Sequence, residues 1–283
     1  MSSHSHDQTV PSAEPRDRLE RDAFWERLRH VTPARIGLAT TGASLATTPL
    51  LDFRIAHARA RDAVTAPFDS AAFQAVLASS GQDVLGVSSM ASDRREYLLR
   101  PDLGRQLAKA DHLALAERAR PCDLAIVLAD GLSPAAVTRH GPPLLEKILP
   151  QLTAEGWRLS PLIVVERGRV GIGDAIATAL GARAVLVMVG ERPGLSVQES
   201  VGLYITWAPT GTTTDADRNC ISNIWQFGLS YDAAAFRLHG LLKQMFVRRL
   251  SGVMLKDDAI TDASGRSIDA VEGDDIGFDL QSR

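Results

Sequence analysis

Cysteine is scarce: Cys122 and Cys220 are the only two in 283 residues. Two thiols exclude a disulfide framework and a cysteine-rich zinc site, and they fit a reducing compartment. Charge of one sign is not in excess either. Asp and Glu number 34 against 31 Lys and Arg, a formal charge of −3. A nucleic-acid binder carries a basic excess or a basic stripe, and this chain has neither. No apolar run reaches the ~20 residues of a membrane helix; the longest candidate, 184–189, is strand-sized. The first 22 residues lack the apolar centre and small-residue cleavage site of a secretory signal, so a cytoplasmic location is expected. There is no G-x-x-x-x-G-K-[ST] string and no G-x-S-x-G elbow. His30, His57, His112, His140 and His239 have no metal-ligand spacing. His4 and His6 in the N-terminal tail would lose too much entropy on chelation. No catalytic residue and no metal ligand is therefore assigned.

What is present is an ordinary globular composition, 45 % hydrophobic and 23 % charged. Residues 1–14 are rich in Ser, His, Pro and Asp and read as a disordered tail. Residues 15–80 read as a smaller, mainly helical N-terminal domain. Leu19, Phe24, Trp25 and Leu28 recur at helical spacing; Thr48-Pro49 opens a second helix, and Ser70 to Ala78 forms a third. This domain is expected to pack on a partner chain or to cap the sheet that follows. From residue 81 to 254 the texture changes. Apolar runs at 124–128, 162–165 and 184–189, then ESVGLYITW, alternate with helical stretches. That alternation predicts a Rossmann-like, doubly wound α/β domain with a mainly parallel sheet. Among its helices, one is expected from Pro101-Asp102 and one from Gly141 to Ala154. Residues 255–283 read as an acidic, flexible tail, with eight acids from Asp257 onward against Arg266 and Arg283.

Ligands of open α/β sheets bind beyond the carboxyl ends of the strands. Four polar, glycine-bearing or Asx-bearing stretches follow the four apolar runs: Asp130–Ser133, Arg167–Gly171, Gly190–Gly194 and Asp217–Asn223. Each alone reads as a turn; four on one edge point to a large ligand. Gly171-Ile172-Gly173, with Glu191 eighteen positions beyond, approximates a dinucleotide fingerprint. The third glycine is replaced by Ile176, so the match is weak. Cys122 reads as a buried small hydrophobe. Cys220, in the polar stretch, is either a structural thiol or a ligand contact.

Six segments carry a family resemblance: ARIGLATTG, YLLRPDLGR, VLADGLSPAAV, RGRVGIGD, VGERPGLSVQES and TTDADRNCISNIWQFGLSYDAAA. They run in order over most of the chain, and together they resemble the light chain of ethanolamine ammonia-lyase. GERPG followed by DADRNCISNI is the specific pair. The resemblance implies a lyase that turns ethanolamine into acetaldehyde and ammonia by radical chemistry with adenosylcobalamin. It implies a heavy-chain partner that holds ethanolamine, an assembly of six heavy–light pairs, and a location in the cytoplasm or inside a bacterial microcompartment. Carried over position by position, it makes Val170, Glu191 and Cys220 the cobalamin contacts. Asp130 and Ser133 follow as lesser contacts on the loop argument alone. The D-x-H-x-x-G string of cobalamin domains that replace the cofactor's own base is absent, so the base-on form is expected. Two other readings stay open beside this one: a nicotinamide oxidoreductase and a non-catalytic adapter of a microcompartment.

Overall fold

The computed structural model describes residues 15–32 and 34–256. The expected tail 1–14 and all of the expected tail 255–283 except Leu255 and Lys256 lie outside them; Leu255 is not part of a flexible tail, since it is buried in the core. The chain divides into two compact units, one ending at Ala58 and the other beginning at Arg59. The first contains helix α1 (Pro15–Val31), a two-residue antiparallel pair β1 (Thr40–Thr41) and β2 (Ser44–Leu45), and the start of helix α2 (Thr47–Thr65). Gly37 adopts φ +56°, and the Trp25 ring lies where its Cβ would be. Arg29 donates to the Gly37 carbonyl at 2.9 Å, fastening α1 to this turn.

The second unit is a mixed α/β structure around a six-stranded, mostly parallel sheet. Its elements are α3 (Ser70–Ser79), β3 (Val84–Ser88), α4 (Arg94–Leu99), α5 (Lys109–Glu117), β4 (Cys122–Ala129), α6 (Pro134–Ala154), β5 (Leu159–Glu166), α7 (Ile172–Leu180), β6 (Ala182–Gly190), β7 (Val201–Trp207), β8 (Arg218–Ile224) and α8 (Tyr231–Arg248). The strand order is β3-β5-β4-β6-β7-β8. The first four are parallel; β7 and β8 run antiparallel as a hairpin at one edge. β4 is apolar from Leu124 to Ala129 because both of its faces are covered there. Leu124, Ile126 and Leu128 face one layer with Leu144, Ile148, Leu238 and Leu242 of α6 and α8. Ala125, Val127 and Ala129 face the other with Ile172, Ile176 and Leu180 of α7. Each fully buried aliphatic side chain of these layers contributes about 1.5–3 kcal/mol. Phe73 and Leu77 of α3 join the α6 and α8 layer.

The sheet is mainly parallel, as expected, with β7 running antiparallel to β6. Three expectations are corrected. The stretch Asp217–Asn223 is not a loop: Arg218–Ile224 is strand β8. It reads as polar because one of its faces is open to solvent, while Ile221 and Ile224 enter the core. The helix expected from Pro101-Asp102 begins at Lys109, after a short 3-10 turn at Leu103–Arg105. That turn seats Gly104 beneath the Tyr97 ring, where a Cβ would lie 2.9 Å away. The helix expected from Gly141 begins at Pro134, in the first turn, where a missing N–H costs nothing. It carries Pro142, Pro143 and Pro150 in its interior, and its apolar face is sealed in the core.

Candidate cofactor cleft

The carboxyl ends of β4, β5 and β6 lie side by side. α6 leaves β4 toward one face of the sheet and α7 leaves β5 toward the other, so the loops part there. A cleft of about 590 Å³ opens at this point, within the range of small-molecule sites. Gly131 and Leu132 line it from β4, Arg169 to Gly171 from β5, and Gly190 to Arg192 from β6. It continues over the bare face of the hairpin, where Tyr204, Arg218 and Cys220 form a shelf. α7 packs on β4 and β6, while Cys220 is exposed and Tyr204 half-buried.

Val170, Glu191 and Cys220 all line this one cleft. Val170 packs at the edge of the α7 layer. Among the described residues, the backbone N–H groups of Val170 and Gly171 have no hydrogen-bond acceptor. Both precede α7, whose N-terminal end favours acceptor groups and anions. Glu191 lies along β7 over Gly202, where a Cβ would meet its Oε1 at 3.0 Å. Its carboxylate accepts from the Ser200 hydroxyl at 2.6 Å and from the Asn223 N–H at 3.1 Å. Asn223 reaches it through a left-handed backbone, φ +61°. Cys220 is a β8 residue paired with Tyr204, not a loop residue. Desolvation raises its thiol above the ordinary value, so it is neutral at pH 7. Desolvation, with Cys220 beside it, likewise raises the Tyr204 phenol.

Asp130 and Ser133 stand behind the wall and are not among the residues lining the cleft. Both are buried. Asp130 accepts from the Gly168 N–H at 2.9 Å and from Arg94 at 3.1 Å, tying the β4 and β5 loops together. Burial pushes its carboxyl up to about 6, against the pull of Arg94 and the backbone N–H groups. Ser133 donates to the Gln198 carbonyl at 3.1 Å. Gly173 also serves packing: the Val187 side chain is 2.3 Å from where its Cβ would be. In a dinucleotide fingerprint the middle glycine faces a pyrophosphate, so this use of Gly173 removes support from that reading.

Residue patterns alone gave no individual role to four contributors. Tyr97, fully buried, donates to the Gly168 carbonyl at 3.2 Å; burial raises its phenol to about 12. Arg94 and Arg169 stack on its ring at 4.8 and 4.6 Å. Arg218 forks onto Asp174 of α7 with two bonds of 2.7 Å, closing one end of the shelf. A second hollow, lined by His112, Asp174 and Thr213, adjoins the cleft through Arg105, Gly171 and Arg218. No group of three or more metal-binding side chains occurs among the described residues.

The family model described as ethanolamine ammonia-lyase light chain (EutC) matches residues 22–256. The chain belongs to this family. A protein of Pseudomonas aeruginosa strain UCBPP-PA14 named ethanolamine ammonia-lyase small subunit is 52 % identical over 254 residues, 88 % of this chain and 90 % of that one. One of the same name from Azotobacter vinelandii is 53 % identical over 239 residues, 83 % of this chain and 88 % of that one. The chain is thus the light chain of a heteromeric lyase, and a light chain implies a heavy partner. No helix among the described residues is long and apolar enough to cross a membrane.

Proposed function

We propose that this light chain holds adenosylcobalamin for the conversion of ethanolamine to acetaldehyde and ammonia, while its heavy partner holds the substrate. The observation that carries the reading is the convergence of Val170, Glu191 and Cys220, from three separate strands, on one cleft. The site suits a corrin. Its shelf is broad and partly apolar, and amide arms need both donors and acceptors around them. The N–H groups of Val170 and Gly171 would donate to acceptor oxygens of the cofactor. The Glu191 carboxylate, braced by Ser200 and Asn223, would accept from amide N–H groups. The neutral Cys220 thiol would rest against the ring's periphery. When bound, adenosylcobalamin supplies the radical chemistry, and the protein supplies position. No side chain of this light chain moves a proton in the reaction.

The sheet is read as Rossmann-like and doubly wound, its helices alternating between the two faces along the chain. The cofactor is read as base-on. No described histidine lines the cleft, and His112 lies in the adjoining hollow. Paramagnetic resonance with ¹⁵N-histidine protein tests this: coupling of the label to cobalt refutes it. An assembly of six heavy–light pairs and a place in the cytoplasm or a microcompartment belong to the same reading. Solution mass and co-fractionation test them.

The primary experiment co-expresses this chain with its heavy partner, adds adenosylcobalamin and follows acetaldehyde from ethanolamine. Activity only in the combined sample is expected. Full activity of the heavy chain alone would reduce this chain to an adapter and remove the basis of the cleft assignment.

A further inference from the structure

Four arginines line the cleft: Arg105, Arg169, Arg192 and Arg218. Arg218 is neutralised by Asp174 at 2.7 Å, and Arg105 faces Asp215 at 3.6 Å. Arg192 is exposed at the rim. Arg169 differs from all three. It has no carboxylate partner among the described residues, yet its guanidinium is held in place. One face lies on the Tyr97 ring at 4.6 Å, and Nη2 donates to the Tyr97 carbonyl at 3.2 Å. Its backbone N–H donates to the Gly104 carbonyl at 2.8 Å. A Cβ on Gly104 would press its stem at 3.1 Å, so the glycine makes room for it. Its Nε is buried without a hydrogen-bond acceptor. The next two residues, Val170 and Gly171, bring the unpaired N–H groups that precede α7. A fixed cation without a carboxylate partner, beside two free amides at a helix N-terminus, is a combination that recognises an anionic oxygen cluster. Cobalamin carries one such group, the phosphodiester of its nucleotide tail.

We propose that Arg169, with the Val170 and Gly171 amides, binds that phosphodiester. The inference rests on the cobalamin reading above and adds which part of the ligand meets this corner. Tyr97 is the positioning residue beneath Arg169.

The test uses the cofactor-free heavy–light complex and two probes, dicyanocobinamide and dicyanocobinamide phosphate, which differ by the phosphate group alone. Affinities come from equilibrium dialysis, with cyanocobalamin as the reference ligand. In the wild type the phosphate is expected to improve binding about tenfold or more, the effect of one charge-assisted contact. In Arg169→Met the gain should shrink below about threefold while dicyanocobinamide binds as in the wild type. Arg169→Lys, which keeps the charge but loses the fork, should retain part of the gain. A misfolded variant would lose both ligands, so the ratio separates recognition from structural damage. The inference is overturned if the wild type gains nothing from the phosphate, if Arg169→Met keeps the gain, or if Arg169→Met weakens both ligands equally. Failure of the wild-type complex to bind even cyanocobalamin would overturn the cobalamin reading itself.

Discussion

Replacing Gly190 with alanine probes how the cleft is built. Gly190 ends β6 where the turn after β4 folds over it. A Cβ there would lie 2.1 Å from the Ser133 carbonyl oxygen and 2.7 Å from that of Asp130. Both are backbone atoms, so no side chain can swing aside. The contact is reciprocal, since a Cβ on Gly131 would lie 2.2 Å from the Gly190 oxygen. One strand end must retreat by about 1 Å to restore ordinary contact distances. The retreat stretches the 3.0 Å bond from the Leu132 N–H to the Gly190 carbonyl. Overpacking costs about 1–3 kcal/mol and the weakened bond about 1 kcal/mol more. At about 2–4 °C per kcal/mol, the melting temperature should fall by roughly 5–15 °C. Leu132 and Glu191, both lining the cleft, move with the two strand ends, so cyanocobalamin affinity should drop about tenfold or more. Gly211→Ala is the control: nothing lies within 4 Å of its would-be Cβ, and it should melt with the wild type. Scanning calorimetry and dialysis read both effects. A Gly190→Ala protein with wild-type melting and affinity would falsify the close approach of these loops.

Three further outcomes are expected. Glu191→Gln should weaken cobalamin binding about tenfold and leave turnover at saturating cofactor nearly unchanged; the reverse pattern would move Glu191 into the chemistry. Asp130 titrates near 6 when folded, above the ordinary 3.8, so between these values the native chain holds a proton that the unfolded chain has released. Stability from this group is therefore full below about pH 4, declines as pH rises to about 6, by about 3 kcal/mol, and is level beyond. Subtracting the pH profile of Asp130→Asn from that of the wild type isolates the slope, and a flat difference refutes the assignment. Cys220, exposed but with a raised thiol, should alkylate more slowly than free cysteine at pH 7.5, and cyanocobalamin should slow it further. Unaltered alkylation in a cofactor-loaded complex would remove Cys220 from the contact surface.

The parallel core was legible because β4 to β6 are buried on both faces and therefore spell unbroken apolar runs. The Arg167–Gly171 and Gly190–Gly194 stretches were legible as strand ends for the complementary reason: the chain turns polar and glycine-rich where the sheet stops. β8 was not legible. A strand with one open face spells RNCISNI, and only Ile221 and Ile224 betray the buried side. The start of α6 was hidden by Pro142 and Pro143, which read as a beginning although they lie inside the helix. Tyr97 and Arg94 gave no signal, because the loop groups they tie down, Gly168 and Asp130, lie 71 and 36 positions away. Asp130 and Ser133 lie in a loop whose Gly131 and Leu132 line the cleft, but their own side chains stand behind it.

The antiparallel hairpin widens the strand-end crevice into a shelf, and the proposed cofactor site depends on that width. A helix that follows a parallel strand returns over the sheet and covers it, as α7 covers β4 and β6. β7 and β8 are joined without such a helix, so the face bearing Tyr204 and Cys220 stays open beside α7. The bare face could slip or pair wrongly unless anchored. Arg218 anchors it at one end by forking onto Asp174 in the first turn of α7. Glu191 anchors it at the other, reaching from β6 across Gly202 to the Asn223 amide. The two ties are of opposite charge and different solvation. The Arg218 side chain is 4 % exposed, both its Nη atoms are taken by Asp174 and its buried Nε lies 3.5 Å from Asp215, so it holds the shelf and presents little to a ligand. Glu191 lines the cleft itself and keeps lone pairs beyond its two protein donors. Hence Arg218→Lys should loosen the hairpin, visible as faster amide exchange along β8, before it changes any contact to cofactor, whereas Glu191→Gln should do the opposite.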